Sequence, residues 1–342
     1  MHHHKVPTTK VRKVSIQEPG LCQRAWRPGF AFVGRALYQW ALAADRSSKH
    51  YGLSNKKMRH LSLSSEEMRR EMDTIDRGIH DLLMLRARLG ETVRGEISAS
   101  PAAARAAQAA RILREILARH SGRFPLRALV QIWSDILFAS DGQTTLHVCG
   151  GDDASGFWDL ARMHFGCTIP MISHASPAAV VHACAADPLA LGLVPPPDSV
   201  DSGQAWWEQL APAGHPGPRI AQCLPFVRND SCLVPLPLGY AIGAIEQEGT
   251  GRDTTMLLLE CQNELSRARL QTLLRQSGFD AQILAASRES RSAASRLLLA
   301  NKGFVPADDE RLASIASAAG DAIERVALVG GFADPFDAVP AA

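Results

Sequence analysis

The segment Met68–Val93 constrains this chain more than any other. Met72, Ile75, Ile79, Leu82, Leu83, Leu89 and Val93 follow the i, i+3, i+4, i+7 spacing of an amphipathic helix. Ser64-Ser65 followed by Glu66-Glu67 supplies the N-terminal cap signal, so the pattern predicts one helix from about Ser64 to Arg94. Arg86 interrupts the apolar stripe, and a guanidinium buried without an anion or a route to water is costly. Arg69 lies seventeen residues upstream, about 25 Å along the axis at the helical rise. One small anion cannot touch both arginines of one helix. If both serve one ligand, they come from two copies, and the protein is a homodimer. The plain alternative is a bundle helix whose arginines reach water along their stems.

The pattern Arg69, Ile75-Asp76 and the Leu82-Leu83-x-x-Arg86 end resembles the first helix of the all-helical chorismate mutases. The resemblance is especially to the mutase domain of bifunctional chorismate mutase–prephenate dehydratases. The resemblance implies that Arg69 and Arg86 bind substrate carboxylates from opposite protomers of an intertwined dimer. Two further helices fit that arrangement. One spans about Ala103–Arg119, with Ile112, Leu113, Ile116 and Leu117 on one side. The other is expected over Leu126–Ala139, opened by Pro125, with Leu129, Ile132, Trp133, Ile136 and Leu137 as its apolar face.

The resemblance has gaps that bear on chemistry. Where the family carries a lysine for the ether oxygen, this chain has Ile97, and no lysine occurs between Lys57 and Lys302. Arg94 is the nearby cation. The family's Arg-Pro-x-Arg-Glu segment reads Ser100-Pro101-Ala102-Ala103-Ala104-Arg105 here, followed by Gln108 and Arg111, without the carboxylate. Gln143 stands within one residue of the family's glutamine donor. Candidate substrate-binding residues are therefore Arg69, Arg86, Arg94, Arg105, Arg111 and Gln143. The implied reaction, chorismate to prephenate, is concerted and requires no nucleophile, cofactor or metal. It calls for arginine forks on carboxylates and a cation or amide at the breaking ether oxygen.

Past Thr144 the pattern changes to α/β alternation. Leu146–Cys149 reads as a strand, Gly156–Phe165 as a helix and Ala190–Val194 as a buried strand. GGDDASGFWDLARMHFG and LALGLVPPPDSVDSG resemble the two ends of the first lobe of a prephenate dehydratase. The stretch between Gly203 and Thr254 is too short for a second lobe. The family's Thr-Arg-Phe motif is missing, with Val227-Arg228-Asn229-Asp230 the nearest text. From Thr254 a βαββαβ order is expected: strand 254–260, helix 265–276, strands 281–286 and 296–299, helix 309–323 and strand 326–329. It resembles an ACT domain, whose effector segment Ser287-Arg288-Glu289 loosely echoes.

The fold class expected is multidomain α plus α/β: a three-helix mutase bundle, a small α/β lobe, and a ferredoxin-like βαββαβ domain. The boundaries are a basic, poorly ordered leader at 1–57, then 58–143, 144–250 and 251–335. The leader carries eleven Lys and Arg against Glu18 and Asp45. A net charge of +2 with 21% charged residues gives no global lean towards nucleic acid. Seven dispersed cysteines without a C-x-x-C pair fit reduced thiols in a cytoplasm. No apolar run reaches the roughly 18 residues of a membrane span. His164-x-x-Cys167 and His182-x-Cys184 are the thin candidates for a metal, Gly150-Gly151 with Ser155-Gly156 for an anion, and Trp206-Trp207 reads as a packing plug. The functional expectation is a chorismate mutase. The rivals are an inactive regulator that senses an aromatic amino acid, and a prephenate dehydratase.

Overall fold

A computed structural model describes residues 64–96, 101–121, 123–138, 144–150, 154–197, 205–212, 217–228, 236–245, 247–262, 265–288 and 294–337. The basic leader at 1–57 lies outside the described residues. The chain divides into two compact units, residues 1–76 and 77–342. The described part of the first is the opening of helix α1 (Ser65–Glu96). There Glu67 N–H donates to Ser64 Oγ while Ser64 N–H donates to Glu67 Oε2 at 2.8 Å, a reciprocal cap that satisfies two donors helices leave open.

The second unit is a mixed α/β body around a nine-stranded sheet, with seven α-helices among the described residues of the whole chain. After α1 come α2 (Pro101–Arg119) and α3 (Leu126–Phe138). Then follow β1 (Leu146–Cys149), α4 (Ala154–Phe165), β2 (Met171–His174), α5 (Pro177–Ala186) and β3 (Leu191–Val194). Strands β1, β2 and β3 are parallel with β1 in the middle. Because the chain leaves β1 to one side and returns past it, right-handed crossovers put α4 and α5 on opposite faces. Phe157, Leu160, Ala161 and Phe165 of α4 pack with Leu146 and Val148, whereas Val180, Val181 and Cys184 of α5 pack with Cys149.

A short 3₁₀ turn, Trp206–Leu210, precedes β4 (Arg219–Leu224), β5 (Val227–Arg228) and β6 (Gly239–Gly243). The last stretch is β7 (Asp253–Gln262), α6 (Arg267–Gln276), β8 (Ala281–Arg288), β9 (Ala294–Lys302), α7 (Glu310–Ala319), β10 (Ile323–Ala333) and β11 (Phe336–Asp337). Strand order is β2-β1-β3-β6-β4-β10-β7-β9-β8. The terminal four are antiparallel in the order β10-β7-β9-β8, with α6 and α7 covering the Leu257, Leu259 and Cys261 side. On the other side Met256 and Leu258 meet Trp206, Trp207 and Leu210. The double tryptophan is thus a plug beneath the sheet.

The two halves of the sheet join where β10 lies parallel to β4, at Gly330 opposite Ile220. Gly330 has φ of 124°, and a Cβ there would run into the backbone of Ile220. Only glycine permits this approach. The junction makes β4 and β10 neighbours in one sheet rather than edges of two separate domains.

Helices α2 and α3 lie over the face that carries α4. Ala109, Ala110, Leu113 and Leu137 are buried with Leu146, Phe157, Phe165, Leu224 and Phe226. Along α1, Gly78, Leu83, Arg86 and Gly90 form the covered line from Ser64 to Thr92, while the wide apolar stripe stays uncovered. Met72 is 63% exposed, Ile75 53%, Ile79 52%, Leu82 58% and Leu89 44%. Arg86 therefore sits on the covered line, beside the stripe it interrupts in sequence.

Candidate functional site

Arg86 is half-buried, and its Nη1 donates to the carbonyl of Ile136 at 3.1 Å. Ile136 belongs to the last turn of α3, where carbonyls have no partner inside the helix and the negative end of the helix dipole lies. Burial pulls the Arg86 pKa below the ordinary arginine value. The group nonetheless remains charged. One donor of its fork caps α3. Among the described residues no carboxylate pairs with it.

The other sequence candidates separate in space. Arg69 is exposed near the start of α1. Arg111 is exposed on α2, donates to Gly249 O and lies 3.7 Å from Glu248 Oε2, so it faces the loop before β7. The side chains of Arg94 and Arg105, and the whole of Gln143, lie outside the described residues. Ser287 is half-buried on β8 opposite Arg296 of β9, while the side chain of Arg288 is outside the described residues. Arg86 and Arg111 thus serve different partners within the chain: one the end of α3, the other the β6–β7 connection.

Arg114, one turn beyond Arg111, belongs to no motif in the sequence. Its Nη1 donates to Thr250 Oγ1 at 2.8 Å, and its Nη2 donates to Arg252 O at 2.8 Å and Asp334 O at 2.7 Å. The guanidinium also lies over the Phe226 ring, 5.6 Å from its centroid. Desolvation lowers its pKa, opposed by Asp253 and Asp334. Thr250 is held in turn by Asp253, whose carboxylate accepts from the Thr250 hydroxyl at 2.6 Å and from the Thr250 and Gly251 amides. This clasp fastens α2 to the sheet. The one signal in sequence that could have found it is that Arg114 lies next to Leu113 and three residues before Leu117 on the buried side of α2.

Beneath α2 the polar residue at the centre is His164, near the end of α4. It is buried, its Nε2 lies 3.0 Å from Gln222 Oε1, and its ring meets Phe138 and Phe165. With the carboxamide oxygen as acceptor, the proton is assigned to Nε2. Burial pushes its pKa down to about 4, so the ring is neutral at pH 7. Two cavities of about 20 Å³ flank it, each with room for about one water. Neither takes an organic ligand as it stands.

The metal candidates come apart. His164 faces Gln222 whereas Cys167 is exposed. Cys184 is buried, its thiol pushed up to about 12, and His182 is exposed beside it. Among the described residues no three His, Cys, Asp or Glu side chains gather as a metal site. No described helix is long and apolar enough to cross a membrane.

No family model and no curated protein matches the chain. Among solved structures, GqqA, described as a novel type of quorum quenching acylase, overlaps 55% of this chain and 94% of its own, with 14% identity and a TM-score of 0.39. Prephenate dehydratase from Streptococcus mutans overlaps 57% of this chain and 99% of its own, with 14% identity and a TM-score of 0.37. Likeness at this level assigns neither an activity nor a substrate.

Proposed function

We propose that the chain is a dimeric chorismate mutase in which helix α1 supplies both the dimer contact and the anion site. The observation that carries this reading is the state of α1: a long apolar stripe that is exposed among the described residues, beside a half-buried Arg86 with no carboxylate partner among them. An exposed apolar stripe of this length calls for another surface, and a second α1 has the matching period. Arg86 of one copy, already steadied by Ile136 O, and Arg69 of the other then hold the two carboxylates of chorismate. The reaction breaks one C–O bond and forms one C–C bond within the same molecule. The protein needs to hold the compact conformer and stabilise negative charge on the leaving ether oxygen. Arg94, Arg105, Arg111 and Gln143 are the remaining candidates for that oxygen.

The test is conversion of chorismate to prephenate by the full chain, with Arg86→Ala and Arg86→Lys beside it. The reading expects turnover in the unaltered protein and its loss in both variants. No rate above the uncatalysed rearrangement refutes it. A second reading, a regulator without catalysis, is favoured by one observation: Arg86 and Arg111 both hold backbone carbonyls of their own chain. A thermal shift with phenylalanine or tyrosine, without turnover of chorismate, supports that reading instead.

A further inference from the structure

At the β2 edge of the sheet, neighbouring strands carry one histidine each. His147 Nδ1 of β1 lies 2.7 Å from His174 Nε2 of β2, with the ring centroids 5.0 Å apart. Strand β2 ends the sheet and pairs with β1 alone. Beside it the Pro170 and His174 carbonyls accept from the Leu146 and Gly150 amides. His147 shares the α5 face of β1 with Cys149, since alternate residues of a strand point the same way. On that face α5 brings the buried Cys184, whose thiol is neutral, and Asp187 at its C-terminal end, while His182 is exposed. Strand β3 contributes no titratable group, and α4 covers the opposite face.

Two imidazoles at this distance bond only while one of the facing nitrogens keeps a lone pair. A neutral pair shares one proton along the bond, and a singly protonated pair makes the stronger, charge-assisted form. A second proton turns both nitrogens into donors and sets two positive charges side by side. Asp187 offsets one of them at most. Burial already holds His147 below the ordinary imidazole value, and the charge of His174 works in the same direction, against Asp187. The separation is that of a hydrogen bond, and among the described residues no third ligand completes a metal site. We propose that His147 and His174 form a one-proton latch, which fastens edge strand β2 to β1 at neutral pH and releases it in mild acid, when the second ring takes a proton. The strand is suited to release because it has four residues, one partner strand and an exposed Ile172.

The inference stands apart from the proposed activity, and no substrate enters its test. Ring resonances of the full chain are followed from about pH 7.5 to about pH 4.5. The pair should titrate in two steps, the second about one unit or more below a free imidazole at about 6.5. Over the same range the hydrogen-exchange protection of the Leu146 and Gly150 amides should fall about tenfold or more. The Leu191 amide, bonded to Thr145 O on the β3 side, should keep its protection. His174→Gln leaves His147 a hydrogen-bonding partner without a second charge, so there the protection of Leu146 and Gly150 should not change with pH. A single titration at about 6.5 for both rings, unchanged protection at Leu146 and Gly150, an equal loss at Leu191, or wild-type pH dependence in His174→Gln overturns the proposal. If that variant does not fold, ring titration and exchange in the unaltered protein decide.

Discussion

His164 makes a quantitative prediction about acid stability. Its ring is enclosed by Phe138, Phe165 and the sheet, with Gln222 as its hydrogen-bonded neighbour. In the unfolded chain the imidazole titrates near 6.5, whereas in the fold burial holds it at about 4. Between these values the unfolded state binds a proton that the folded state refuses. The contribution is therefore fully present above about pH 6.5 and is lost as pH falls towards 4. Below that the folded ring is protonated too, and the loss stops growing. At about 1.36 kcal/mol per unit, the gap amounts to about 3 kcal/mol.

The assay is denaturant unfolding of the wild type and His164→Leu at a series of pH values from 7.5 to about 4. Carboxylates titrate in the same range, but they are common to both proteins and cancel in the difference. The baseline effect of the substitution is also immaterial, because the prediction concerns how the difference changes. From pH 7 to pH 4.5 the wild type should lose about 2 to 3 kcal/mol more than the variant. In parallel, the His164 ring resonances should hold their neutral positions until well below pH 6. Parallel pH profiles for the two proteins, or an imidazole that titrates near 6.5 in the folded state, would refute the reasoning.

Gly330→Ala should destabilise the chain by about 3 kcal/mol or abolish folding, because a methyl group meets the Ile220 backbone and the left-handed φ is strained as well. Gly251→Ala, with a φ of 92° but open space around it, should lose only about 1 kcal/mol in the same urea titration. Arg114→Met should cost about 2 to 4 kcal/mol through the Arg252 and Asp334 carbonyls it abandons, whereas Arg119→Met, an exposed i, i+4 partner of Glu115, should stay within about 0.5 kcal/mol. Leu82→Glu tests the uncovered face of α1: sedimentation should find a dimer for the wild type and a monomer for the variant at unchanged helicity. A wild-type monomer at micromolar concentration would remove the dimer.

Much of the secondary structure was legible because its signals are local. The expected helices at Ser64–Arg94 and Leu126–Ala139 end within two residues of α1 and α3, and the strand Leu146–Cys149 agrees at both ends. The βαββαβ order from Thr254 is present as β7 to β10, with longer strands than the apolar runs alone indicate. The helix Pro177–Ala186 went unread because PAAVVHACAA is apolar on every side and carries no 3.6-residue period, although Ser176 and Pro177 are an adequate start signal. Strand β6 went unread because two of its five residues are glycine. The junction between β4 and β10 was beyond local reading, since Gly330-Gly331 looks like the end of a strand until Ile220 is placed against it.

The candidate site was less legible than the fold for one physical reason. A sequence names donors but hides the acceptors that matter here, because those acceptors are backbone carbonyls and every residue has one. Arg86 donates to Ile136 O, Arg111 to Gly249 O, Arg114 to Arg252 O and Asp334 O, and Arg325 to Ala211 O. An arginine placed against an apolar face signals an unmet demand for a partner. It does not distinguish a helix end from a substrate carboxylate, since both present oxygen at a similar distance and both favour the charged form. The stripe of α1 bears on the choice. A cap for α3 needs Arg86 alone, whereas the proposed dimer also uses the face of Met72, Ile75, Ile79, Leu82 and Leu89, which is exposed among the described residues. Arg86→Lys in a verified dimer therefore discriminates further. Lysine still reaches one carbonyl with one ammonium, so stability should change little, but it cannot reproduce a fork, and binding of a dicarboxylate should weaken about tenfold or more.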